Sequence, residues 1–202
     1  MTEITQPHWH SRGYLPHFDC PNTVQHVTFR LADSLPAAAL TRMEGELFLL
    51  PEEQRDPERR KSLEELADAG HGSCILRRPD AALLVQSALL MFDGDRYRML
   101  AWVVMPNHVH ALMEPLNGWT LGKIVWSWKS FTGRRLAPLL GNVSAGRVWH
   151  REYWDRFVRN ADHFRNVVEY IHWNPVKAGL ARSPQEYEWS SAGRGVLRYG
   201  GE

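Results

Sequence analysis

Cysteine is almost missing from this chain. Only Cys20 and Cys74 occur among 202 residues, far apart and in no metal-type spacing, which excludes a disulfide scaffold. No apolar run approaches the ~20 residues that a membrane helix needs. The opening MTEITQPHWHSRGYLPHF has no basic start followed by an apolar core, so it does not read as a secretory signal. There is no internal repeat and no low-complexity tract. An excess of one charge sign is lacking too, since 24 Lys and Arg stand against 23 Asp and Glu. What remains is ordinary globular material, 44% hydrophobic and 23% charged, in a length that suits one domain. A reducing cytoplasm is the expected compartment.

The near-zero net charge hides an asymmetry. Residues 1–100 hold 11 basic and 15 acidic side chains, residues 101–202 hold 13 and 8, and the stretch 121–182 alone holds 11 and 4. A basic region of that kind can meet phosphates. Nine tryptophans are many for this length, and four of them lie between 119 and 149, interleaved with Lys123, Lys129, Arg134, Arg135 and Arg147. Such a stretch reads either as core aromatics beside a solvated basic helix face or as a surface for nucleic acid.

Periodicity supplies the elements. VQHVTFRL at 24–31 predicts a strand, and AAALTRMEGELFLL at 37–50 a helix. The charged segment 51–62 carries two prolines and reads as a surface connection into a short helix ending near Ala69. Asp80 is the expected cap of a helix that stops before Gly94. RYRMLAWVVM at 96–105 and HVHALME at 108–114 are strands joined through Pro106 and Asn107, a tight antiparallel connection. A long helix follows over 120–140, disturbed at Pro138, then a short strand at 153–158. A last helix is capped by Asn160 or Asp162 and ends close to Pro175. The order of elements predicts an α+β sandwich, a small antiparallel sheet with helices on one face.

The chemistry concentrates in two places. In MPNHVHAL at 105–112, His108 and His110 lie two apart on a strand, so both imidazoles point to one face and read either as a pair of ligands for a divalent metal or as one packed and one surface histidine. In EYIHWNPV at 169–176, Tyr170 and Asn174 lie four apart and share a helical face. Asn174 offers a carbonyl oxygen to a hard cation and Tyr170 a phenol as nucleophile; periodicity alone favours instead a core helix with Val168, Tyr170 and Ile171 packed and Asn174 as its C-cap. His172 faces elsewhere on that helix. Arg156 and Arg159 flank the short strand before it and suit phosphate contact. Trp126, Trp128 and Trp173 are candidates for stacking unpaired bases, and His26 alternates with Thr28 on the first strand, towards the face of the histidine pair.

Taken together, MPNHVH, REYWDRFVRN at 151–160 and VEYIHWNPVKAGL at 168–180 resemble the REP-associated tyrosine transposases, within the single-tyrosine HUH transposases. The resemblance spans about Val24 to Leu180. It implies a ferredoxin-like, RRM-like antiparallel sheet with helices packed on it, in one transposase domain over 1–202. That domain would have a charged insertion at 51–68 and a C-terminal tail at 181–202. It implies the HUH motif at His108, Val109 and His110, the nucleophile at Tyr170, and the third metal ligand at Asn174, where related insertion-sequence enzymes carry glutamine. It implies a divalent ion, Mg²⁺ or Mn²⁺, and no nucleotide cofactor. The implied activity is cleavage and rejoining of single-stranded DNA at palindromic hairpins through a 5′-phosphotyrosine. The protein would act as monomer or homodimer, in a bacterial cytoplasm beside the nucleoid. DNA contacts are expected from Arg156, Arg159, Lys123, Lys129, Arg134 and Arg135. Two rival readings are a metal-dependent phosphoesterase using water and a catalytically silent DNA-binding regulator.

Overall fold

The sheet is organised by its side-chain alternation. The fold is taken from a computed structural model, which describes residues 9–11, 16–18, 22–140 and 147–194. In chain order the elements are strands β1 (Trp9–Ser11), β2 (Pro16–Phe18) and β3 (Gln25–Arg30), and helices α1 (Ala37–Phe48), α2 (Glu52–Asp68) and α3 (Pro79–Leu90). Strands β4 (Tyr97–Val104) and β5 (His108–Pro115), helix α4 (Leu121–Leu140), strand β6 (Trp154–Phe157) and helix α5 (Ala161–Lys177) follow. β1 and β2 form a small ribbon, and the other four make one antiparallel sheet in the order β4-β5-β3-β6.

Helices cover both faces of this sheet, not one as the element order suggested. Val27, Phe29, Val109, Ala111 and Met113 point to a core shared with α3 and α4. Their alternates on the other face include Leu112, which joins Phe164, Val167, Val168 and Ile171 of α5. Element order alone carries no information about the face on which a returning helix lands. β4 supplies both cores by alternation, and a register shift between Met99 and Ala101 changes which parity faces which core. Met99 and Trp102 therefore face one core, while Ala101 and Val103 face the other. The β4–β5 hairpin closes as the sequence predicted, with Met105 N–H donating to His108 O at 2.9 Å.

Where the charged segment read as a connection, a continuous helix runs from Glu52 to Asp68. Its stability is tertiary. Leu63 and Ala67 bury against Leu35, Met43 and Leu47, and the Arg59 guanidinium donates to both oxygens of Glu44 on α1. Glu52 and Glu53 in its first turn oppose the helix dipole favourably. Two smaller corrections concern termini. Arg78, not Asp80, caps α3, with Pro79 at its first position and Asp80 one residue further in, accepting from Ala81 N–H. α5 is capped by Asn160, whose Oδ1 accepts from His163 N–H at 2.8 Å, and it continues two residues past Pro175.

The segment after Leu180 lies along β4. Val104 N–H donates to Trp189 O, Tyr187 OH to Val104 O, and Trp102 N–H to Ser191 Oγ, so the outer edge of the sheet is covered. Among the described residues no helix is long and apolar enough to cross a membrane.

Tyr97 is the polar hinge of the α3/α4 core. Its hydroxyl donates to Leu89 O at 2.9 Å and accepts from Trp128 Nε1 at 3.1 Å, with the side chain 1% exposed. Tyr97→Phe leaves both partners buried and unsatisfied, and should cost about 1–3 kcal/mol in urea denaturation. An unchanged midpoint and slope would contradict this arrangement.

Candidate metal and tyrosine site

The site is built on β5 by the two-residue period of a strand. His108 and His110 are both 1% exposed, their rings 4.8 Å apart and nearly perpendicular. Each ring is held at Nδ1. His108 Nδ1 lies 2.8 Å from Asn107 Oδ1. The Asn107 amide is itself oriented, because its NH₂ group donates to Ala67 O and His71 O, both at 3.0 Å. An amide oxygen can only accept, so His108 Nδ1 carries a proton, and in the neutral ring Nε2 carries the lone pair. His110 Nδ1 contacts Thr28 Oγ1 at 2.8 Å and His26 Nε2 at 3.3 Å on the neighbouring strand. Both Nε2 atoms are buried without a hydrogen bond.

Two helices complete the site. α5 sets the Tyr170 ring edge-on to His110 at 5.3 Å and brings Asn174 into the same buried region one turn later. α2 ends at Asp68, whose Oδ1 stands 3.3 Å from His108 Nε2 and 3.4 Å from Asn174 Nδ2. Because the carboxylate accepts, the Asn174 amide turns its NH₂ group to Asp68, leaving Asn174 Oδ1 buried without a hydrogen bond. Ligand atoms of Asp68, His108 and His110 all lie within 4.8 Å of one another. A lone pair on His108 Nε2 facing a carboxylate oxygen repels it unless a positive charge lies between them. Two orphaned imidazole nitrogens, an orphaned amide oxygen and a carboxylate are a donor set for a divalent cation, and the residues therefore fit one.

Asp68 is the member that sequence reasoning missed. It sits about forty residues before the histidines, at the end of a segment read as a surface insertion, and no local pattern distinguishes it from the other acids there. Asn107 lies inside the MPNHVH motif but has no periodicity that announces its role. His26 and Thr28 do reach the face expected from their alternation. His172 faces away, its Nε2 bonded to Ser191 Oγ at 2.9 Å.

Comparison with known proteins follows the same residues. The family described as "Transposase IS200 like" matches residues 86–174, which contain both histidines, Tyr170 and Asn174. The REP-associated tyrosine transposase of Escherichia coli (strain K12) is 27% identical over 116 residues, covering 57% of this chain and 67% of that protein. The chain is thus similar to the REP-associated tyrosine transposases. A Haemophilus influenzae protein assigned to the same family is 28% identical over 109 residues, half of this chain and 61% of its relative. The solved structure of a REP-associated tyrosine transposase bound to a REP hairpin matches with a TM-score of 0.58 at 18% identity, over 95% of this chain and 93% of that one. At that identity the likeness concerns the fold.

The basic residues divide between the two faces. Arg156 on β6 is the cross-strand partner of His26 and is exposed beside the histidine face. Arg159 is exposed just before α5. Lys123, Lys129, Arg134 and Arg135 belong to α4, on the opposite side of the sheet. There the Lys129 ammonium donates to Arg151 O at 2.8 Å, and burial pushes it down to about 8. Of the tryptophans named for stacking, Trp128 is a core residue at 2% exposure, whereas Trp126 and Trp173 are exposed at 70% and 43%.

Several imidazoles are held neutral. Burial, then the Arg156 charge, lowers His26 to about 4, and burial, then Arg30, does the same to His150. Burial and the neighbouring histidines put His110 well below the ordinary value. In the unfolded chain each takes a proton near pH 6.5, so the unfolded state binds more protons between about 6.5 and 4. Stability is therefore complete above about pH 6.5 and declines as the pH falls through this window. Urea midpoints of metal-free protein should fall steadily on acidification from neutrality, and a flat profile down to about pH 5 would contradict the burial of neutral histidines.

Proposed function

We propose that this chain is a single-stranded DNA endonuclease and strand transferase that cuts palindromic hairpin DNA through a covalent link to Tyr170. The observation that carries the reading is the placement of Tyr170 against His110, beside two imidazole Nε2 atoms buried without a hydrogen bond. His108, His110, Asn174 and Asp68 would hold a divalent ion, Mg²⁺ or Mn²⁺, which when bound polarises a phosphate oxygen and stabilises charge developing on it.

The chain's own residues do the rest. The Tyr170 oxygen attacks the scissile phosphorus, the bond to the 3′ oxygen breaks, and the proton lost by the phenol balances the one gained by the leaving hydroxyl. The product is a 5′-phosphotyrosine and a free 3′-hydroxyl. Because the ester keeps the bond energy, transfer to another 3′-hydroxyl needs no nucleotide cofactor. A water-using phosphoesterase accounts for the imidazoles but gives Tyr170 no task. The hairpin in the related solved structure supports hairpin DNA as the partner here. Arg156 and Arg159 meet the strand near the cut. Lys123, Lys129, Arg134 and Arg135 on α4 meet phosphates of the stem.

The test is a denaturing gel after incubation with hairpin DNA carrying a single-stranded flank. Wild type should give a DNA-linked band. Tyr170→Phe, which keeps the ring and its packing, should bind the hairpin and give none. His108→Ala and His110→Ala should abolish the band with binding largely retained, and Asn174→Ala should weaken it less, since water can replace one oxygen ligand. An undiminished band from Tyr170→Phe would move the nucleophile elsewhere.

The division of basic residues makes a second prediction. Removing any true phosphate contact flattens the log–log salt dependence of affinity by about 0.7–0.9. Arg156→Gln should flatten it and also slow cleavage at saturating DNA, whereas Arg134→Gln with Arg135→Gln should flatten it and leave that rate unchanged. Equal effects on rate from both would contradict the two-sided arrangement.

A further inference from the structure

The insertion helix α2 and the histidine strand β5 meet through one side chain. Asn107 sits in the β4–β5 turn, 1% exposed, and three of its four hydrogen-bonding positions are used. Its oxygen faces His108 Nδ1, and its NH₂ group donates to Ala67 O and His71 O. Ala67 precedes Asp68, so the group that fixes the His108 ring also fixes the end of the helix that carries the carboxylate. The facing atoms, His108 Nε2 and Asp68 Oδ1, are 3.3 Å apart as a result. Thr28 does the corresponding work for His110, its hydroxyl 2.8 Å from Nδ1.

We infer that Asn107 is the positioning residue of the cation site: it sets the His108 tautomer and latches α2 so that Asp68 becomes a ligand, with Thr28 orienting His110. The charged insertion is then part of the catalytic centre. This rests on the metal reading above and adds to it a claim about which residues build the site. Groups that hold a ligating imidazole by its other nitrogen typically change metal affinity by about 10–100-fold when removed.

The experiment is Mn²⁺ titration of the metal-free full chain by calorimetry, with hairpin affinity measured in chelator and the ¹⁵N signals of His108 recorded by NMR. Asn107→Ala should weaken Mn²⁺ by about 10–100-fold. It should also mix the two His108 tautomers and leave chelator-condition hairpin binding unchanged. Asp68→Asn, which keeps the shape and removes the charge, should also weaken Mn²⁺. The double variant should lose less than the two single losses combined, because Asn107 acts partly through Asp68. Thr28→Val should weaken Mn²⁺ and Thr28→Ser should restore it, which keeps the inference testable where Asn107→Ala fails to fold. If wild type binds Mn²⁺ and Asn107→Ala and Thr28→Val bind it equally well, the inference is overturned while the metal reading stands. If wild type itself does not bind Mn²⁺, the metal reading fails.

Discussion

Two imidazoles whose Nε2 atoms are buried without a hydrogen bond, side by side on one strand, are the constraint around which this molecule is arranged. A buried polar atom without a partner costs roughly 1–3 kcal/mol, so a cluster of several fits a ligand that would supply the missing partners. His108 and His110 are fixed at Nδ1 by Asn107 and Thr28, which leaves both Nε2 atoms aimed at one region. Asn174 and Asp68 add oxygens there from helices on two different parts of the chain.

The sheet explains why such a site can exist. β5 is an interior strand with α3 and α4 packed on one face, so Val109, Ala111 and Met113 anchor it while the alternate residues are free to carry chemistry. On that other face α5 packs through Val168 and Ile171 and brings Tyr170 and Asn174 over the histidines. β6 adds Arg156 to the same side, where its charge helps keep His26 neutral. The candidate chemistry thus shares one face with Arg156, and the aromatic core holds the other.

Periodicity made much of this legible. The spacing of His108 and His110 on a strand, and of Tyr170 and Asn174 on a helix, specified which side chains share a face before any coordinates. The tight turn at Pro106 and Asn107 fixed the hairpin that carries the pair. Contacts between distant segments were not legible. The prolines and charges of 51–68 conceal a helix whose stability comes from α1, and Asp68 enters the site only through that tertiary packing. Trp126 and Trp128 lie two apart on one helix, and composition cannot say which of them is buried. The basic stretch 121–182 is one run in sequence but falls on both sides of the sheet in space.

The most direct measurement is anomalous X-ray diffraction from crystals of the metal-free protein soaked in Mn²⁺. A single strong peak bounded by His108 Nε2, His110 Nε2 and the oxygens of Asp68 and Asn174 is the predicted result. A soaked crystal with no peak among those atoms, or with manganese bound only elsewhere, would contradict the claim that the buried lone pairs form a cation site.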